Sequence, residues 1–256
     1  MGHDVWLAVI LYICGCFYLG FGLYAIFTNR KSLTNRLFLY LTISMAVWAF
    51  TFSIVVSSPT EEVAFFWQTL SVTGWGVFYS FLFHFILILT KFKSSFKYKK
   101  TIISLIYLPS AINIVLFGPL GPLKNQMYQM IPSKFGWVNI TPNFWANVWI
   151  SVYYLTFTIA SIVLIIIWIR KLEPQTLLKR RATHFLISVI TAFVIGTSLD
   201  IIPDALGIGF VPRIAIIFLI PPILILFLLL KNSGLLFGKN KTVVIFPQSD
   251  ADINKD

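Results

Sequence analysis

Residues 145–169 read WANVWISVYYLTFTIASIVLIIIWI, a stretch without a single charge, and Arg170 and Lys171 follow it directly. A helix rises about 1.5 Å per residue, so about 20 apolar residues carry it across the hydrocarbon of a bilayer. Barrel strands alternate apolar and polar positions over about ten residues, and this stretch does neither. It reads as a membrane-spanning helix. Six further runs share its character, at 5–27, 38–57, 65–90, 102–117, 184–202 and 214–230. The run at 102–117 is the shortest and contains Pro109.

The composition agrees with that reading: 58% of residues are hydrophobic and 11% are charged. A water-facing fold has no use for so much apolar surface, whereas a bilayer does. The expected fold class is therefore all-α, a polytopic seven-transmembrane-helix bundle. One domain is expected over residues 1–232, with a short polar cytoplasmic tail over 233–256. The first run lacks a basic leader and is long for a signal peptide, so it is expected to stay in the mature chain.

Seventeen of the 20 basic residues fall on one side of these runs. They are Arg30, Lys31 and Arg36, the lysines at 91, 93, 97, 99 and 100, the group from Arg170 to Arg181, and the four beyond the last run. The other side holds Lys124, Lys134 and Arg213. The positive-inside rule then places the N-terminus outside and the C-terminus in the cytoplasm of an inner-membrane protein. The net charge of +11 is thus dispersed over short loops next to anionic headgroups. It forms no basic domain, and nucleic acid is excluded as a partner.

The longest connection, residues 118–144, contains Pro119, Pro122, Pro132 and Pro142 together with Tyr128, Phe135 and Trp137. Connections of this length are uncommon and often functional. A partial lid over the outer mouth and a plain ordered connector both fit it. Cys14 and Cys16 point to different faces of one helix and read as apolar packing, with no metal and no cofactor expected.

Ionisable groups inside a membrane are costly, and the few present are the candidates for function. His84 lies in the third run, near one helical face with Ser80 and Trp75 or Gly76. Asp200 stands near the outer end of the sixth run; Asp204 follows four residues on, and Arg213 opens the seventh. Two acids and an arginine at such a corner fit either an ion pair that fixes helix ends or a ligand-binding or gating cluster. Pro221 and Pro222 sit in the middle of the seventh run. Each lacks a backbone donor and clashes with the carbonyl one turn back, so a kink or hinge is expected there. No lysine precedes Lys231 in that run, which excludes a retinal Schiff base in the rhodopsin position. No phosphate-binding glycine loop and no zinc-protease motif occurs. No catalytic residues are expected, and the chain is not read as an enzyme.

Asn35-Arg36-Leu37-Phe38, Phe66-Trp67-Gln68 and Phe83-His84-Phe85 open or close runs two and three. Lys179-Arg180-Arg181 leads to Asp200-Ile201-Ile202-Pro203, then Gly207 and Pro212. With these residues the chain resembles the N-terminal seven-transmembrane sensor region of bacterial and archaeal histidine kinases, over roughly residues 5–235. The resemblance implies a receptor module that detects a small or lipid-soluble signal and relays it to cytoplasmic modules. It brings Gln68 into the candidate ligand-binding set, beside Trp75, His84, Asp200, Asp204 and Arg213. No phosphoacceptor helix or ATP-binding domain follows. The implied output partner is a cytoplasmic kinase or another signalling protein, encoded separately or in a longer chain. A homodimer is left open. A small transporter of three-plus-one-plus-three type is the alternative. Pro174-Gln175 superficially resembles the proline-glutamine pair of such proteins but falls in a basic loop. An intramembrane enzyme is the third reading.

Overall fold

A computed structural model describes residues 5–90, 99–196, 198–199 and 214–232. Helices α1 (Val5–Thr28) and α2 (Leu33–Ser57) form an antiparallel pair. Their turn is fixed by side chains. Ser32 Oγ accepts from the Asn35 amide N–H at 3.3 Å. The buried Asn35 side chain donates back to the carbonyls of Ala25 at 2.8 Å and Asn29 at 3.3 Å. Those carbonyls belong to the end of α1 and the turn after it, where the helix leaves acceptors unpaired. Cys14 on α1 is buried and Cys16 is exposed, so the two do face apart.

α3 (Glu61–Leu70) starts at Thr60, whose hydroxyl accepts from Val63 N–H at 3.5 Å, and carries Glu61 and Glu62 in its first turn. Both features suit the electropositive end of a helix. α4 (Val72–Leu89) continues it after Ser71. At this joint Ser71 and Thr73 turn their hydroxyls back onto the carbonyls of Gln68 and Leu70, at 2.6 and 2.8 Å. Such back-bonding competes with the helical ladder and bends it. α5 (Lys99–Phe117) runs through Pro109 without breaking. The carbonyl of Ile106, in the turn before that proline, accepts the Ser80 hydroxyl of α4 at 2.6 Å.

The long connection is ordered. It holds α6 (Lys124–Met127) and an antiparallel hairpin of β1 (Gln129–Ser133) and β2 (Gly136–Ile140), with Ser133 opposite Gly136. The hairpin docks on the end of α2. Trp137 Nε1 donates to the Ser58 carbonyl at 3.0 Å. Gly136 has φ +97°, and a Cβ there would run into the Val56 carbonyl oxygen. Only glycine meets both demands at no cost.

α7 (Phe144–Lys171) is capped by Asn143, whose Oδ1 accepts from the amides of Trp145 and Ala146 at 2.9 and 3.1 Å. α8 (Leu177–Gly196) begins earlier than its apolar run, which was expected from residue 184. The Thr176 hydroxyl accepts from Lys179 N–H at 3.2 Å, so capping rather than hydropathy sets the start. The helix therefore carries Lys179, Arg180 and Arg181 in its first turns. α9 (Ala215–Phe218) and α10 (Ile220–Asn232) complete the described chain.

α2 packs on α1, α4 and β2; α4 packs on α5 and α7; α7 packs on α8; α8 packs on α9 and α10, which return to α1. The result is a closed ring of helices. At the α2–α4 contact the backbones come close: a Cβ on Gly74 would stand 2.6 Å from Trp48 N and 2.7 Å from Ser44 O. Small residues at such crossings are what hold helices together where lipid removes the hydrophobic drive. Among the described residues five helices are long and apolar enough to cross a membrane: α1, α2, α3 with α4, α5, and α7. Ala215–Lys231 is a shorter apolar helix.

Candidate functional site: a cavity inside the helix ring

The ring encloses a cavity of about 140 Å³. Each wall comes from one face of one helix. Met45, Trp48 and Phe52 project from α2; Trp75, Phe78, Tyr79 and Leu82 project from α4. These spacings of three, four and seven are one helical stripe. α7 contributes Ile150, Tyr154 and Thr158, and α10 contributes Pro222, Ile223 and Leu226. The wall on α8 includes Ala192 and Gly196, and α9 adds Ala215. Three small residues on adjoining faces leave the room that larger side chains would fill. Met127 and Tyr128, both buried, reach the cavity from α6 and the residue after it. The connection at 118–144 thus supplies part of the wall at the hairpin end.

The lining is apolar and carries no charged side chain among the described residues. Three polar groups stand out. Gln68, which lines the cavity, is 2% exposed. Trp48 Nε1 and Thr158 Oγ1 are buried without a hydrogen-bond partner. Other polar groups in the same wall are satisfied: Trp75 Nε1 donates to Ser71 Oγ at 3.2 Å, and Tyr154 donates to the Phe193 carbonyl at 3.3 Å. A buried polar group without a partner costs about 1–3 kcal/mol. Trp48 Nε1 and Thr158 Oγ1 beside one cavity are therefore a feature to be explained.

Behind the α4 wall lies a separate polar layer. The Tyr153 hydroxyl meets Ser80 Oγ at 3.0 Å, Ser110 Oγ at 3.1 Å and the Gly76 carbonyl at 3.1 Å. Ser110 Oγ donates to Ser80 Oγ at 2.7 Å. Asn113 Nδ2 donates to the Gly76 carbonyl at 3.2 Å and its Oδ1 accepts from Trp149 Nε1 at 2.8 Å. This layer ties α4, α5 and α7 into one block. His84 belongs to it rather than to the cavity: its Nδ1 pairs with the Tyr107 hydroxyl of α5 at 2.9 Å.

The cavity's remaining side is less regular. The chain breaks at Leu219, between α9 and α10, and not at the proline pair. Pro221 and Pro222 occupy the first turn of α10, where a missing N–H leaves no bond unmade. The kink expected in mid-run is thus displaced toward the start of the helix. Pro222 is buried against the cavity, while Pro221 is exposed. The Ile216 carbonyl, at this break, accepts the Tyr18 hydroxyl of α1 at 2.5 Å.

Of the residues singled out in the sequence, Gln68, Trp75 and Pro222 come together around the cavity, and His84 does not. Asp200, Asp204 and Arg213 lie outside the described residues. Sequence reasoning missed Trp48 and Thr158. Thr158 carried a visible signal, a hydroxyl inside an uncharged 25-residue run. Among the described residues no group of three His, Cys, Asp or Glu side chains could hold a metal ion.

A family model described as the N-terminal 7TM region of histidine kinase matches residues 9–213. No curated protein and no solved structure matches the chain.

Proposed function

The chain belongs to the family of N-terminal 7TM regions of histidine kinases, membrane sensor input modules, and on that premise we propose that the cavity receives the signal and α10 carries its arrival to a cytoplasmic output partner. The single observation behind this reading is that α9 and α10 form a wall of the cavity through Ala215, Leu219, Pro222, Ile223 and Leu226. Anything that fills the cavity touches the helix that leads to the basic end of the chain. The interrupted ladder at Leu219 makes α10 a separate segment, able to shift against α8 and α1 without unwinding α9. A ligand that prefers one arrangement by about 1–3 kcal/mol changes the equilibrium some 5- to 150-fold.

The full reading has seven crossings, with the N-terminus outside and the C-terminus in the cytoplasm of the inner membrane. The seven runs of the sequence and the one-sided distribution of basic residues support it. So does α8, whose basic first turns extend beyond its apolar run. The output partner is a kinase core or another cytoplasmic signalling protein.

The reading is tested by fusing residues 1–232 to a kinase core and measuring autophosphorylation in membranes. Ala192→Phe fills the cavity and should change the phosphorylation level. Leu120→Ala, at a position 98% exposed, should not. A cavity-filled variant that phosphorylates as the parent does would remove the cavity from signalling.

A further inference from the structure

Resting on the reading of the cavity as the signal site, we propose that its ligand is a neutral, ring-sized, mostly apolar molecule bearing a carbonyl or hydroxyl oxygen that is hydrogen-bonded by Gln68. Size sets the first limit. The cavity measures about 140 Å³, and a comparable cavity lined by Leu, Ile and Phe, of about 150 Å³, holds a benzene ring. A long acyl chain or a sugar does not fit that volume.

Charge sets the second limit. No described lining residue carries a formal charge. An ion taken from water into such a site loses its hydration with nothing to replace it. The described lining therefore favours a neutral molecule over a carboxylate or an ammonium.

The unpartnered polar groups set the third limit. Trp48 Nε1 can only donate, so it needs an acceptor. Gln68 and Thr158 can donate or accept. The three sit on α3, α2 and α7, and each is buried. A molecule with no polar atom would leave Trp48 Nε1 and Thr158 Oγ1 unsatisfied. One with an oxygen offers Trp48 the acceptor it needs, and Gln68 lines the same cavity as a further donor. Binding would bond groups that the fold itself leaves without partners among the described residues, and discrimination of that kind is sharper than any hydrophobic pocket achieves alone.

The full chain in lipid nanodiscs would be tested with three probes: acetophenone, its apolar isostere α-methylstyrene, and benzoate. Binding is taken as the difference between the parent and Ala192→Phe, which removes partition into lipid. Acetophenone should bind more tightly than α-methylstyrene, by about five- to tenfold for one hydrogen bond, and benzoate should not bind. Gln68→Leu should erase that preference while leaving α-methylstyrene binding unchanged, which also shows that the variant is folded. The proposal is overturned if Gln68→Leu keeps the preference, if benzoate binds as well as acetophenone, or if neither neutral probe binds. In any of those cases the signalling reading stands or falls separately, on the phosphorylation of the Ala192→Phe fusion.

Discussion

The Tyr18 hydroxyl donates to the Ile216 carbonyl at 2.5 Å, joining α1 to α9 just before the ladder is interrupted. That carbonyl also accepts from Leu219 N–H, at a long 3.4 Å. Tyr18 is fully buried, so water does not compete for the bond. Tyr18→Phe keeps the ring and removes the bond. The expected loss is about 0.5–1.5 kcal/mol, with amide exchange in α9 and α10 rising about fivefold while α2 and α4 are unaffected. Exchange mass spectrometry reads this directly. Equal protection of residues 215–232 in both proteins would mean the contact holds nothing.

Gly74 is where α2 and α4 come closest, and the obstacle to a side chain there is backbone at 2.6 and 2.7 Å. Backbone cannot rotate away as a side chain can. Gly74→Ala should push the helices apart and cost about 1–3 kcal/mol. Gly20 on α1 has nothing within 4 Å of a built Cβ. Gly20→Ala should be neutral or stabilise by about 0.5–1 kcal/mol through the restricted backbone alone. Thermal midpoints of the two variants in one detergent decide the matter. Matching midpoints would show that close backbone contact is not what orders this pair of helices.

The polar layer behind the cavity predicts non-additive losses. Tyr153→Phe removes four contacts at once but leaves Ser80 and Ser110 bonded to each other. Single bonds of this kind in membrane proteins average about 0.6 kcal/mol. Tyr153→Phe should therefore cost about 1–2 kcal/mol. Combined with Ser80→Ala it should cost less than the sum, because the two share partners. Strict additivity in a double-mutant cycle would show that the hydroxyls act independently.

These predictions rest on features of unequal legibility in the sequence. The uncharged run at 145–169 made α7 readable outright, since a bilayer admits few other interpretations. Apolar length could not show that α8 begins at the cap formed by Thr176, because capping is decided by one hydroxyl and not by composition. Pro221 and Pro222 were expected to kink the run midway; the interruption sits at Leu219, and the prolines fall in the first turn of the helix after it. The cavity was partly visible. Trp75 lay on a face that could be drawn from helical spacing. Trp48 and Thr158 could not be placed beside it, because they belong to helices whose neighbours are fixed only by tertiary packing. The resemblance brought Gln68 into the candidate set, but only the fold shows it buried in the cavity wall.

The orientation makes the last prediction, and it depends on charge alone. Lys134 lies exposed in the hairpin connection, at the end poor in basic residues. Glu173 lies exposed in the turn between α7 and α8, among the basic ones. Arginine and lysine resist translocation across the membrane, so the turn at Glu173 should remain in the cytoplasm and the hairpin should cross. In a Cys16→Ser background, which removes the exposed native thiol, Lys134→Cys should react with a membrane-impermeant maleimide added to intact cells. Glu173→Cys should react only after the inner membrane is opened. Reversed labelling would put α10 outside the cell at its far end. No cytoplasmic partner could then receive a movement of that helix, whatever the cavity binds.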